Sequence, residues 1–121
     1  MGDIKTFKGA GENYQVLSAL GKGVLKRMVD FEEEDGWCAC GSLITVVSEN
    51  LYYQAMVQPE YKAAPKSNPF ANRPSQMVCR DKVGDLVNEV NYQLKRGWKV
   101  SGGLYKNYYG ALSQELVRDS A

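Results

Sequence analysis

From Gln76 onward the alternation of apolar and polar residues changes period twice. QMVC opens as a short apolar strand. Val83, Leu86, Val87, Val90 and Leu94 then recur at helical spacing, which predicts a helix with one apolar stripe on an otherwise polar surface. Asp81 stands where its N-cap belongs. WKVSGGLY and YYGALSQELVR follow as two strands joined by a turn at Lys106-Asn107. The first half of the chain repeats this order. QVLSAL predicts a strand, and Val24, Leu25, Met28 and Phe31 or Val29 predict a helix stripe. WCACGSLITVVS and LYYQAMVQ predict a hairpin turning at Ser48-Glu49-Asn50. Each half is therefore βαββ.

The two halves superpose in sequence. With Gly36-Trp37 placed over Gly97-Trp98, residues 15–44 lie over 76–105 without a gap. Identical pairs are Gln15/Gln76, Gly23/Gly84, Leu25/Leu86, Val29/Val90, Gly36/Gly97, Trp37/Trp98, Gly41/Gly102 and Leu43/Leu104. One deletion in the next turn also matches Gln54 to Gln114 and Val57 to Val117. Gly36 and Gly97 fall where a helix C′ glycine belongs. Trp37 and Trp98 then start a strand and are expected to cover the helix end. Gly102-Gly103 within a strand predicts a bulge or a close backbone approach.

All four prolines lie between the repeats, in PEYKAAPKSNPFANRPS. Proline lacks the amide donor of a ladder, so this stretch reads as a linker, partly extended. The organisation is an N-terminal arm (1–14), a first βαββ repeat (15–58), a Pro-containing linker (59–75) and a second βαββ repeat (76–118). The expected class is α+β: two units in tandem, pseudo-twofold, with an antiparallel-rich sheet and two helices on one face.

A helix ending in Gly-Trp, a glycine-containing strand, a hairpin and a closing YYQAMV strand together resemble the domain of unknown function numbered 1737, a family of short modules of bacteria and their phages. Residues 37–58 and 85–104 carry the resemblance, which covers both units. The second closing strand departs from it: SQELVR replaces YQAMVQ and puts Glu115 where Ala55 stands. The resemblance implies this fold and brings no assigned activity and no catalytic residues. It implies that one-unit members dimerise and that the tandem is a fused dimer. It also implies a phage-type inhibitor of a host protein or a sponge for a signalling nucleotide, in the cytoplasm of a bacterium or an infected cell.

Both faces of LYYQAMVQ carry apolar residues: Leu51, Tyr53, Ala55 and Val57 on one, Tyr52 and Met56 with Gln54 on the other. Such a strand is buried on both sides. The helices cover one face, so the second is expected to meet another copy, the linker or a partner. Self-association through that second sheet face is the expectation.

The chain has 121 residues, with 44% hydrophobic and 24% charged, which is ordinary for a globular domain. No apolar run approaches the about 20 residues of a membrane helix. There is no histidine. That removes the usual general base and the Ser-His and Cys-His pairs, and the chain reads as a non-enzyme without a cofactor. Three cysteines are an odd count and suggest a reducing, intracellular setting. Cys38-x-Cys40 with Cys79 falls one ligand short of a structural zinc site, so no metal is expected. GKGVLK lacks the spacing of a phosphate loop, although Gly21-Lys22-Gly23 sits at a helix start, where free amides attract anions.

Net charge +1 conceals a polarity. Residues 1–60 carry five basic and nine acidic residues, and residues 61–121 carry ten basic and five acidic. Lys95-Arg96 replaces Glu34-Asp35 at aligned helix ends. Tyrosine is in excess, at eight. The candidate binding residues are the strand set Tyr52, Gln54 and Met56, the basic set Arg73, Arg80, Lys95, Arg96 and Lys99, and the hairpin tyrosines Tyr105, Tyr108 and Tyr109. They suit a protein or small-nucleotide partner. A nucleic acid is the alternative, disfavoured by near-zero net charge.

Overall fold

The computed structural model describes residues 5–7, 13–46, 51–64, 73–106 and 111–118. In chain order these form β1 (Lys5–Phe7), β2 (Tyr14–Ala19), α1 (Lys22–Glu34), β3 (Cys38–Val46), β4 (Leu51–Val57), β5 (Ser75–Arg80), α2 (Val83–Leu94), β6 (Lys99–Lys106) and β7 (Leu112–Val117). The sheets are antiparallel, with strand orders β1-β2-β4-β3 and β5-β7-β6. The fold is α+β, with two similar βαββ units in tandem. Part of the expected N-terminal arm is a strand, because β1 pairs with β2 from Lys5↔Ser18 to Phe7↔Val16. Among the described residues no helix is long and apolar enough to cross a membrane.

Both helices stop by the same device. Gly36 (φ 100°) and Gly97 (φ 98°) take the left-handed conformation open to glycine. The amides of Gly36 and Trp37 return to the carbonyls of Glu33 and Glu32, at 3.1 and 3.0 Å. Gly97 and Trp98 do the same to Leu94 and Gln93, both at 3.2 Å. This is the Schellman arrangement, built twice from one repeated motif. The helix starts differ from expectation. Lys82, not Asp81, occupies the N-cap of α2, and neither helix has a side-chain cap.

The first sheet is buried on both faces. Leu17, Ala19 and Met56 pack with Trp37 and with Leu25 of α1. On the opposite face Tyr14, Val16, Cys40, Ala55 and Val57 pack against Leu86, Val87, Val90 and Leu94 of α2 and against the second sheet. The second unit therefore fills the apolar face for which self-association was the expectation. The helices differ accordingly. α1 meets one layer, so only Leu25 is fully buried, and the expected stripe residues Val24 and Phe31 stay 41% and 64% exposed. α2 lies between two sheets and buries Leu86, Val87, Val90, Asn91 and Leu94. Asn91 satisfies the backbone there. Its Oδ1 accepts from the amides of Asn13 and Tyr14 at 3.1 and 3.0 Å, and its Nδ2 donates to the Tyr14 carbonyl at 3.0 Å.

Each helix covers the equivalent face of its own sheet, since Leu17 and Met56 align with Val78 and Leu116. A pseudo-twofold would join like surfaces. Here the units join through unlike ones, the back of the first sheet against the helix side of the second, because that back is the apolar surface left over.

Two bulges meet at the seam. The register shifts between Cys40 and Ile44 in β3 and between Ser101 and Tyr105 in β6. Gly41 (φ 63°) and Gly102 (φ 68°) make the turns. The aligned glutamines hold them. Gln54 Nε2 donates to the Cys40 and Gly41 carbonyls at 3.0 and 3.3 Å. Gln114 Nε2 donates to the Ser101 and Gly102 carbonyls, both at 3.1 Å, and its Oε1 accepts from the Tyr14 hydroxyl at 2.9 Å.

Candidate functional site

The first turns of α1 present Lys22, Lys26, Val29 and Asp30 along one side of the helix, at the three- and four-residue spacing that puts side chains in a row. Opposite them the bulge in β3 turns Ser42 and Leu43 outward from regular pairing. Between helix and bulge lies a cleft of about 600 Å³, with Gln54 at its base. That volume is within the roughly 300–1,000 Å³ range of small-molecule sites. Two ammonium groups stand one turn apart, Ser42 offers a hydroxyl, and Val29 and Leu43 supply apolar wall. The Gln54 amide is spent on backbone carbonyls, so its side chain is fixed in place.

The sequence-derived candidates divide. Gln54 is at this cleft. Tyr52 and Met56 share its strand face but pack into the α1 core, with Met56 fully buried. Arg80 is exposed and pairs with Glu89 at 3.4 Å. Lys95 and Arg96 follow the end of α2, where cations complement the helix dipole. Arg96 donates to the Tyr92 hydroxyl at 2.8 Å and lies 5.5 Å from that ring's centre. Arg118 stacks 4.7 Å over Trp98 and donates to the Arg96 carbonyl at 2.6 Å. At this basic end one guanidinium group thus lies over each ring. Lys99 is half-buried on β6, and Tyr105 is 52% exposed on the same strand. Tyr108 and Tyr109 lie outside the described residues. Arg73 lines a separate small cavity at the seam. Trp37 and Trp98 pack with the two cores.

Sequence reasoning missed Lys26, Asp30 and Ser42 as site residues. The only signal was Gly21-Lys22-Gly23 at the helix start. Ser42 becomes a wall residue through the bulge, which the Gln54/Gln114 match marks in sequence only once its hydrogen bonds are known.

The displaced pKa values belong to the core. Burial, with a smaller contribution from Cys40, raises the Tyr14 hydroxyl well above its ordinary value. Burial pushes the Cys40 thiol up to about 12, with Lys62 opposing and Cys38 adding a little. Raised values mean that the fold favours the neutral forms. Their contribution to stability is full below the unfolded cysteine value of 9.0 and is lost as pH rises through about 12. The urea midpoint is expected to hold steady up to about pH 9 and fall above it. The fall is expected to be shallower in Cys40→Ala. A midpoint unchanged from neutral to strongly alkaline pH contradicts this.

A scan against protein-family models, a search of curated proteins and a search of solved structures each gave no match.

Proposed function

We propose that this is a non-catalytic binding protein that acts by occupying a partner, and that the partner is a small organic anion such as a signalling nucleotide. The observation that carries the reading is the α1–β3 cleft. It is ligand-sized, is lined by two lysines against one aspartate with apolar wall beside them, and is built on a bulge that a buried glutamine holds rigid. A preorganised, mixed-polarity concavity of this kind binds without needing to rearrange. Lys22 and Lys26 take the anionic group, Ser42 hydrogen-bonds, and Val29 and Leu43 cover the organic part.

Calorimetric titration of a panel of nucleotides and organic acids tests this. At least one is expected to bind saturably, and Lys22→Ala/Lys26→Ala is expected to weaken it by about tenfold or more, the equivalent of about 1.4 kcal/mol. Binding that the double variant leaves unchanged, or no binding across the panel, rejects the reading.

A further inference from the structure

We propose that a second, separate site at the seam between the two units binds a small free tetrahedral oxyanion of the phosphate or sulfate class. The chain leaves β4 through a single 3-10 turn, Pro59–Tyr61. It then lays Lys62 beside β6 as a parallel bridge to Val100. Arg73 returns to the same place, and its Nη1 donates to the Ala64 carbonyl at 2.9 Å. Between these segments and the two bulges is a cavity of about 180 Å³. At about 30 Å³ per water that is room for roughly six waters, enough for a four-oxygen ion.

The composition of the wall selects the ligand. Two cationic side chains line the cavity and, among the described residues, no carboxylate does. Six of the backbone acceptors around it are already engaged. Gln54 takes the carbonyls of Cys40 and Gly41, and Gln114 takes those of Ser101 and Gly102. The Val100 carbonyl accepts from the Ala63 amide at 2.9 Å, and the Ala64 carbonyl accepts from Arg73. With these six committed, the wall offers positive charge and the Ser101 hydroxyl. Guanidinium and ammonium groups together suit a compact oxyanion. The α1–β3 cleft shares none of these wall residues. The two sites stand or fall separately.

The test titrates the full chain with sodium phosphate and sodium sulfate against sodium chloride at matched ionic strength, read by calorimetry and by thermal shift. One saturable equivalent is expected for phosphate and sulfate and none for chloride. Lys62→Gln and Arg73→Ala are each expected to weaken binding by about tenfold, while Lys22→Ala leaves it unchanged. Lys62 is exposed, so if Arg73→Ala fails to fold, Lys62→Gln decides the outcome. A thermal shift equal to that of chloride overturns the proposal. So does saturable binding that survives Lys62→Gln intact, or that Lys22→Ala removes.

Discussion

Gly41→Ala is expected to destabilise the protein by about 3–5 kcal/mol, whereas Gly102→Ala costs about 1–2 kcal/mol. The two glycines are aligned repeat partners with nearly the same backbone, φ 63° and 68°. Both changes incur the strain of a left-handed non-glycine residue. They differ in what the new methyl meets. At Gly41 it would lie 2.6 Å from the Gly103 Cα and 2.7 Å from the Gly103 nitrogen, both backbone atoms with no rotamer to escape into. At Gly102 nothing lies within 4 Å. The alanine at 41 therefore has to push the two units apart where β3 and β6 touch. Urea unfolding at constant m-value checks this through the two midpoints. Equal midpoints for the two variants would show that the seam is not closed in this way.

Asn91→Ala is expected to cost a similar amount, about 3–5 kcal/mol, because it orphans the buried amide and carbonyl of Tyr14 at about 1–3 kcal/mol each. Tyr14 is completely buried, so water cannot replace the lost partners. Gln93→Ala, two residues away, is the control. Gln93 is half-buried, its side-chain amide bonds Glu89 one turn back on the same helix, and its loss is expected to cost less than about 1 kcal/mol. Amide hydrogen exchange supplies an independent readout. Tyr14 is expected to lose protection in Asn91→Ala and to keep it in Gln93→Ala. An Asn91 variant as stable as the Gln93 variant would mean that Asn91 does not help to hold the units together.

The units themselves were legible because their punctuation is local. Gly36-Trp37 and Gly97-Trp98 end a helix wherever they occur, and the stripe from Leu86 to Leu94 has one period that suits it. The bulge at Gly102-Gly103 was also legible, since glycine pairs within a strand have few other uses. How the units dock was not. Asn91 reads as one polar residue on a helix, and only its distance to Tyr14 turns it into the clasp between sheets. Val24 and Phe31 look like stripe residues, yet α1 has a single layer to pack on and leaves them outside. The cleft was illegible for the same reason. Lys26 and Ser42 are sixteen positions apart, unremarkable singly, and related only by the path of β3.

Docking through unlike surfaces has a further consequence. A contact that joins the back of one unit to the front of the next is open-ended, and nothing in its geometry stops a third copy from adding. The back of the second unit is where growth would continue. By alignment, Val16, Cys38, Cys40 and Ala55 are replaced there by Met77, Lys99, Ser101 and Glu115. Tyr14, whose hydroxyl reaches across the seam, is replaced by Ser75. The surface that accepts α2 in the first unit is thus charged and hydroxylated in the second. In the language of stacked-repeat proteins, the back of the second unit has the polar character of a terminal cap.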